Sequence, residues 1–139
     1  MKMTRERKSE LDRLHLFLRE NQKNLQAIDQ VAMYLQSKNL PLGQVLQAYR
    51  DYLKRAPASP VAAYNYAWYL TRDGQFDSAI DMYQRALDLG IDGQEEVHIN
   101  IGNIYMDHLL DSEKAREAFE TALSRNPRYF GAHHNLGNL

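Results

Sequence analysis

The feature that most constrains this chain is its similarity to itself. The segment "AAYNYAWYLTRDGQFDSAIDMYQRAL" (62–87) lies over "VHINIGNIYMDHLLDSEKAREAFETAL" (97–123) with matched positions throughout. Asn65 meets Asn100, Ala67 meets Gly102, Ala79 meets Ala115, Tyr83 meets Phe119, and Ala86-Leu87 meets Ala122-Leu123. The period is 35 to 36 residues, and one further step predicts Asn135, Gly137 and Asn138 in "HHNLGNL". A unit of this length is one supersecondary element that cannot bury its apolar face alone, so such units stack on their neighbours.

Within each unit the apolar residues recur at three- and four-residue spacing, and no run alternates with period two long enough for a sheet. Breaks fall at "NLPLG" (39–43), "RAPASP" (55–60), "RDGQF" (72–76), "LGIDG" (89–93), "HLLDS" (108–112) and "RNPR" (125–128). The helices between them run to roughly 12 to 16 residues. Ser59-Pro60 is a helix start, because the serine oxygen can accept from an orphan amide and proline has no amide to lose there. Gly90 suits the left-handed residue that ends a helix. The expectation is an all-α, right-handed superhelix (α-solenoid) of antiparallel helix hairpins.

Small residues on the first helix of each unit (Ala67, Gly102, Gly137) and on the second (Ala79 and Ala86, Ala115 and Ala122) allow close approach, and one aromatic fills the groove between hairpins. This pattern resembles the tetratricopeptide repeat family, whose motif places a Leu-Gly pair and an aromatic on helix A, then Ala, aromatic and Ala on helix B, often with a closing proline. Two full repeats are expected at 60–93 and 94–129, the first helix of another at 130–139, and a degenerate repeat at 25–59 with Ala32, Tyr49 and Pro57 in register. Ala32 and Ala67 replace the helix-A glycine, Tyr52 replaces a helix-B alanine, and the turn at 107–113 is longer and lacks glycine. Residues 1–24 read as a capping helix with Leu11, Leu14 and Leu18 on one stripe and Phe17 beside it. Its basic residues Lys2, Arg5, Arg7 and Lys8 alternate with Glu6 and Glu10, as on a solvated face.

Composition excludes several functions. Seventeen basic and eighteen acidic residues give a net charge of −1, which offers no overall positive field to a nucleic acid. The chain has no cysteine, so disulfides and thiolate chemistry are excluded, and a cytoplasmic location is the expectation. The apolar run Val61–Leu70 is far too short to span a bilayer, and the N-terminus lacks a signal-peptide core, so no membrane partner is expected. No pair among His98, His108, His133 and His134 has ligand spacing on a shared face, so no metal site is expected. With no phosphate loop, Ser-His-Asp order or paired-carboxylate cleft, the chain is expected to lack catalytic residues and cofactors.

On the helix from Pro60 to Arg72 the core stripe is Ala63, Tyr66, Ala67 and Leu70; Val61, Tyr64, Asn65, Trp68 and Arg72 form the other stripe. In a stacked array that second stripe faces the concave side. The next hairpins contribute Glu96, Ile99, Asn100, Asn103 and Asp107, then His134, Asn135 and Asn138. Asn65, Asn100 and Asn135 then form a ladder. An asparagine amide can grip a peptide group's C=O and N–H together. With helices about 8–10 Å apart and an extended chain rising about 3.3 Å per residue, one rung serves about three ligand residues. Such a ladder is similar to that in the repeat superhelix of O-linked N-acetylglucosamine transferases. The family's two-carboxylate clamp for chaperone tails instead needs lysine and arginine where this chain has Tyr64, Trp68, Gly131 and Asn135; only Asn100 fits.

The expected function is therefore a protein-interaction scaffold holding an extended peptide or partner segment in the concave groove. The alternative is the regulatory or substrate-recruiting repeat region of a larger enzyme such as a sulfotransferase or glycosyltransferase, since residues 95–139 resemble the repeats of bacterial tetratricopeptide-repeat sulfotransferases. A helix A without its helix B leaves Leu136 and Leu139, with Tyr129 or Phe130, as an apolar edge, which predicts self-association through residues 129–139.

Overall fold

A computed structural model describes residues 4–139, the Phe130 side chain excepted; Lys2 and the start of the expected capping helix lie outside the described residues. Eight helices account for the regular structure of the described residues. They fall into two compact units, residues 1–58 and 59–139.

The first unit holds α1 (Arg5–Glu20), α2 (Leu25–Ser37) and α3 (Gly43–Arg55). Thr4 caps α1 by accepting from the Arg7 amide, and Asn24 caps α2 by accepting from the Ala27 amide at 3.2 Å. These side-chain oxygens satisfy amides that have no intrahelical partner. Ile28, Ala32, Leu35, Val45 and Tyr49 are fully enclosed, which sets Ala32 and Tyr49 in the small and aromatic positions of the repeat. Buried Tyr49 keeps its hydroxyl satisfied by donating to Asp29 Oδ1 at 2.6 Å. The α1 stripe is narrower than expected: Leu11 and Leu18 are buried, Leu14 is half-buried, and Phe17 is exposed. Tyr34 ties α2 to α1 through a hydrogen bond to Glu10.

The second unit holds α4 (Pro60–Arg72), α5 (Phe76–Asp88), α6 (Gln94–Asp107), α7 (Ser112–Arg125) and α8 (Phe130–Gly137). Each helix packs on the next in sequence. Ser59 accepts from the Ala62 amide with Pro60 in the first turn, and Asp111 accepts from the Lys114 amide at 3.1 Å. Ala63, Ala67, Ala79, Ala86, Ala115 and Ala122 are fully buried, and Tyr83 and Phe119 fill the space they leave. Gly102 carries the tightest approach, since a Cβ there would lie 2.4 Å from Phe119 Cε1.

The turn between the two helices of each hairpin places one residue in the left-handed region: Asn39 (φ 54°), Gly74 (φ 81°) and Leu110 (φ 53°), one repeat apart. The following amide then bonds back across the helix end, Leu40 to the Leu35 carbonyl and Gln75 to the Leu70 carbonyl. Glycine takes this conformation freely, asparagine at small cost, and leucine only under strain. The 107–113 turn, without glycine and one residue longer, still places one left-handed residue, and its closing bond, from the Asp111 amide to the Tyr105 carbonyl at 2.9 Å, spans one residue more.

Two expectations change here. Ile99 is buried, in a cluster with Ala115, Phe119, Ala122 and Ala132, and does not face a groove. Leu136 and Leu139 are half-buried against that same cluster and form a partly covered rim, not an open edge.

Candidate functional site

Four of the nine residues expected on the inner face come together in one cleft of the second unit. Trp68, Arg72, Asn100 and Asn103 line a cleft of about 230 Å³, together with Asp107 and His108 at one end. Tyr83 and Ile104, both enclosed, supply its floor, and Thr71 its wall. The local reason is helix periodicity. Trp68 and Arg72 are four apart on α4, and Asn100, Asn103 and Asp107 are three and four apart on α6, so each set shares a face.

Trp68 is half-buried, and the Arg72 guanidinium lies 3.3 Å from the centre of its ring. That stacking holds a cation against the negative face of the indole. Arg72 also donates to the Trp68 carbonyl at 3.3 Å. Burial lowers the Arg72 pKa from its ordinary value, with the neighbouring tyrosines opposing the shift.

The asparagines bond across hairpins. Asn100 Nδ2 donates to the Tyr64 hydroxyl at 3.0 Å, and Asn135 Nδ2 donates to Asn103 Oδ1 at 2.8 Å. Asn65 lies one repeat before Asn100 and is also half-buried. Tyr64 meets Tyr83 edge to face at 5.5 Å. Burial raises the Tyr64 pKa, Glu96 adds to the rise, and Asn100 as a hydrogen-bond partner opposes it. Burial raises Tyr83 further, although Thr71 and Asn100 sit beside its hydroxyl as hydrogen-bond partners. Both phenols therefore stay protonated through neutral pH.

His134 and Asn138 lie outside the cleft, exposed on α8 and bonded to one another at 3.3 Å. Three other histidines have separate surroundings. His108 stacks on Phe76 at 4.1 Å, His133 Nε2 meets the Pro127 carbonyl at 2.8 Å, and burial, with the Arg125 charge, lowers the pKa of His98. Among the described residues no group of three or more histidine, aspartate or glutamate side chains is placed to hold a metal ion. None of the helices described is long and apolar enough to cross a membrane.

In the sequence Tyr83 reads only as a packing aromatic, and neither His108 nor Thr71 stands out as a residue beside a cleft. His108 is the residue that caps the C-terminus of α6, directly after Asp107, in a connection one residue longer than the one after α4.

Tetratricopeptide-repeat family models match residues 46–94 and residues 95–129. The chain belongs to the tetratricopeptide-repeat family. The fold is accordingly an all-α tetratricopeptide-repeat solenoid. Among solved structures the chain is similar to MamA at 19% identity and a TM-score of 0.72, over 99% of this chain and 84% of that one. It is also similar to the first TPR of Spaghetti (RPAP3) bound to the HSP90 peptide SRMEEVD, at 20% identity and a TM-score of 0.69, over 85% of this chain and 90% of that one. A third likeness is to YrrB, a TPR protein with an unusual peptide-binding site, at 21% identity and a TM-score of 0.65, over 86% of this chain and 60% of that one. At such identities the shared property is the fold. No curated protein sequence matches the chain.

Proposed function

We propose that this tetratricopeptide-repeat chain is a protein-interaction scaffold that holds an extended peptide segment in the cleft between α4 and α6. The hydrogen-bond arrangement around Asn100 and Asn103 carries the reading. Asn100 donates its amide nitrogen to Tyr64 and is also a hydrogen-bond partner of Tyr83; Asn103 commits Oδ1 to Asn135, which leaves its amide nitrogen as a donor. Each amide carries both donors and an acceptor, so the two asparagines, three residues apart on α6, match the N–H and C=O of a peptide backbone. The half-buried Trp68 ring, with Arg72 stacked on it, stands beside them. Peptide binding by the structurally similar RPAP3 and YrrB repeats supports this reading.

Peptides selected from a random library on the intact chain test it through Trp68 emission. Asn100→Ala removes one neutral hydrogen bond to the ligand, about 1 kcal/mol, so affinity falls about fivefold. Selected peptides that leave Trp68 emission unchanged, or that bind Asn100→Ala equally well, overturn the proposal.

A second copy of the chain is the other partner we propose. Tyr105, Met106, Leu123, Tyr129, Leu136 and Leu139 are only partly buried around the Phe119 cluster and form an apolar rim. Pairing two rims removes further apolar surface from water. The average mass in sedimentation then rises with concentration and returns to monomer in Leu136→Asp; a monomer up to millimolar protein refutes this.

A further inference from the structure

A second cleft, of about 430 Å³, lies in the first unit, away from the residues discussed above. It is formed where the α1–α2 loop meets the end of α3, and Arg19, Lys23 and Arg55 converge on it. In a chain of net charge −1, these three cations share the cleft with one carboxylate, Glu20. No ion pair within 4.0 Å joins any of the three cations to it.

The polar groups of the cleft are biased towards donation. Arg55 donates to Gln22 Oε1 at 2.6 Å, which engages the guanidinium and leaves the Gln22 amide nitrogen to donate. Asn24 Oδ1 is occupied by the Ala27 amide, so its amide nitrogen is likewise left to donate. Asn21 is the exception, since its Nδ2 donates to the Phe17 carbonyl at 2.8 Å and leaves an acceptor. The result is two guanidiniums, one ammonium and two amide donors around a space larger than one oxyanion requires. Two planar guanidiniums favour a ligand with several oxygens over a single carboxylate.

We infer that this cleft is a binding site for a phosphate monoester dianion, held by Arg19, Lys23 and Arg55 with Gln22 and Asn24 as further donors. The charge is local, so it does not conflict with the absence of an overall field for nucleic acid. A phosphate monoester carries close to two negative charges at neutral pH and three acceptor oxygens, which matches the donor set.

The test uses the full chain, isotopically labelled, in a nuclear magnetic resonance titration at low ionic strength. Inorganic phosphate is the probe, with sodium chloride matched for ionic strength as the control. Saturable shifts are expected at the amides of Gln22, Lys23, Asn24 and Arg55. The double variant Lys23→Gln/Arg55→Gln is expected to weaken binding at least tenfold without lowering the melting temperature, because both side chains are exposed. Phosphoserine is expected to bind more tightly than inorganic phosphate; the reverse order overturns the assignment to a monoester. Shifts that do not saturate, that chloride reproduces, that acetate matches at equal concentration, or that persist in the double variant overturn the inference.

Discussion

Gly102→Ala isolates the close approach of α6 and α7. A methyl at this position would lie 2.4, 2.7 and 2.8 Å from three carbons of the Phe119 ring, against an optimal carbon–carbon separation of about 3.5–4.0 Å. Phe119 must therefore recede by about 1 Å, and it is fully enclosed by Ile99, Ala115, Ala122 and Ala132. Overpacking of this kind costs about 1–3 kcal/mol. The alanine returns about 1 kcal/mol, because glycine is a poor helix interior residue. The net loss is about 1 kcal/mol, or roughly 4 °C in melting temperature for a chain of this size. Thermal melts followed by circular dichroism read it directly. Phe119→Leu removes the obstructing ring, so the double variant with Gly102→Ala should lose less than the sum of the two single losses. A Gly102→Ala protein that melts at or above the parent, or a double variant with additive losses, refutes the packing argument. The preceding repeat supplies an internal control, since Ala67 occupies this position against Tyr83 and both are buried.

Leu110→Gly should stabilise: it relieves about 1–2 kcal/mol of left-handed strain, loses about 0.5–1 kcal/mol to unfolded-state entropy, and sacrifices little packing because Leu110 is 81% exposed. A melting temperature that falls removes the strain argument. The pKa shifts predict losses of stability on both sides of neutrality. The native pKa of His98 is lowered below its ordinary value of 6.5, so the unfolded chain takes up the proton first and stability declines as pH falls below about 6.5. His98→Asn should flatten part of that slope in denaturant titrations between pH 7.5 and 5.5; an unchanged slope counts against a half-buried neutral imidazole. Tyr83 behaves oppositely. Its raised pKa keeps the native phenol protonated while the unfolded chain ionises, so stability declines as pH rises above about 10, and Tyr83→Phe should lessen the decline.

The repeat itself determined much of this molecule. A 35-residue period with small and aromatic residues at fixed places settles the helix pairs, because only hairpins with matched small and large positions can stack repeatedly. The starts at Ser59-Pro60, the left-handed Gly90 and the burial of Ala79, Tyr83, Ala115 and Phe119 were legible for that reason. So was the half-exposure of Trp68, which follows from its place on the α4 wheel opposite Ala63, Ala67 and Leu70. The tertiary structure decided what a single-helix wheel cannot contain. Ile99 occupies the repeat position of half-exposed Tyr64, yet it is buried, because Phe119 from α7 and Ala132 from α8 enclose it. The sequence placed asparagines in a row but could not show that Asn100 and Asn103 each spend one end of the amide on a neighbouring hairpin. The donors around Arg55 came together only through folding, since Gln22 and Arg55 stand 33 residues apart in the chain. Period and residue size act locally and repeat by repeat, so they can be read in order; the free end of an amide depends on a partner that only the packed helices supply.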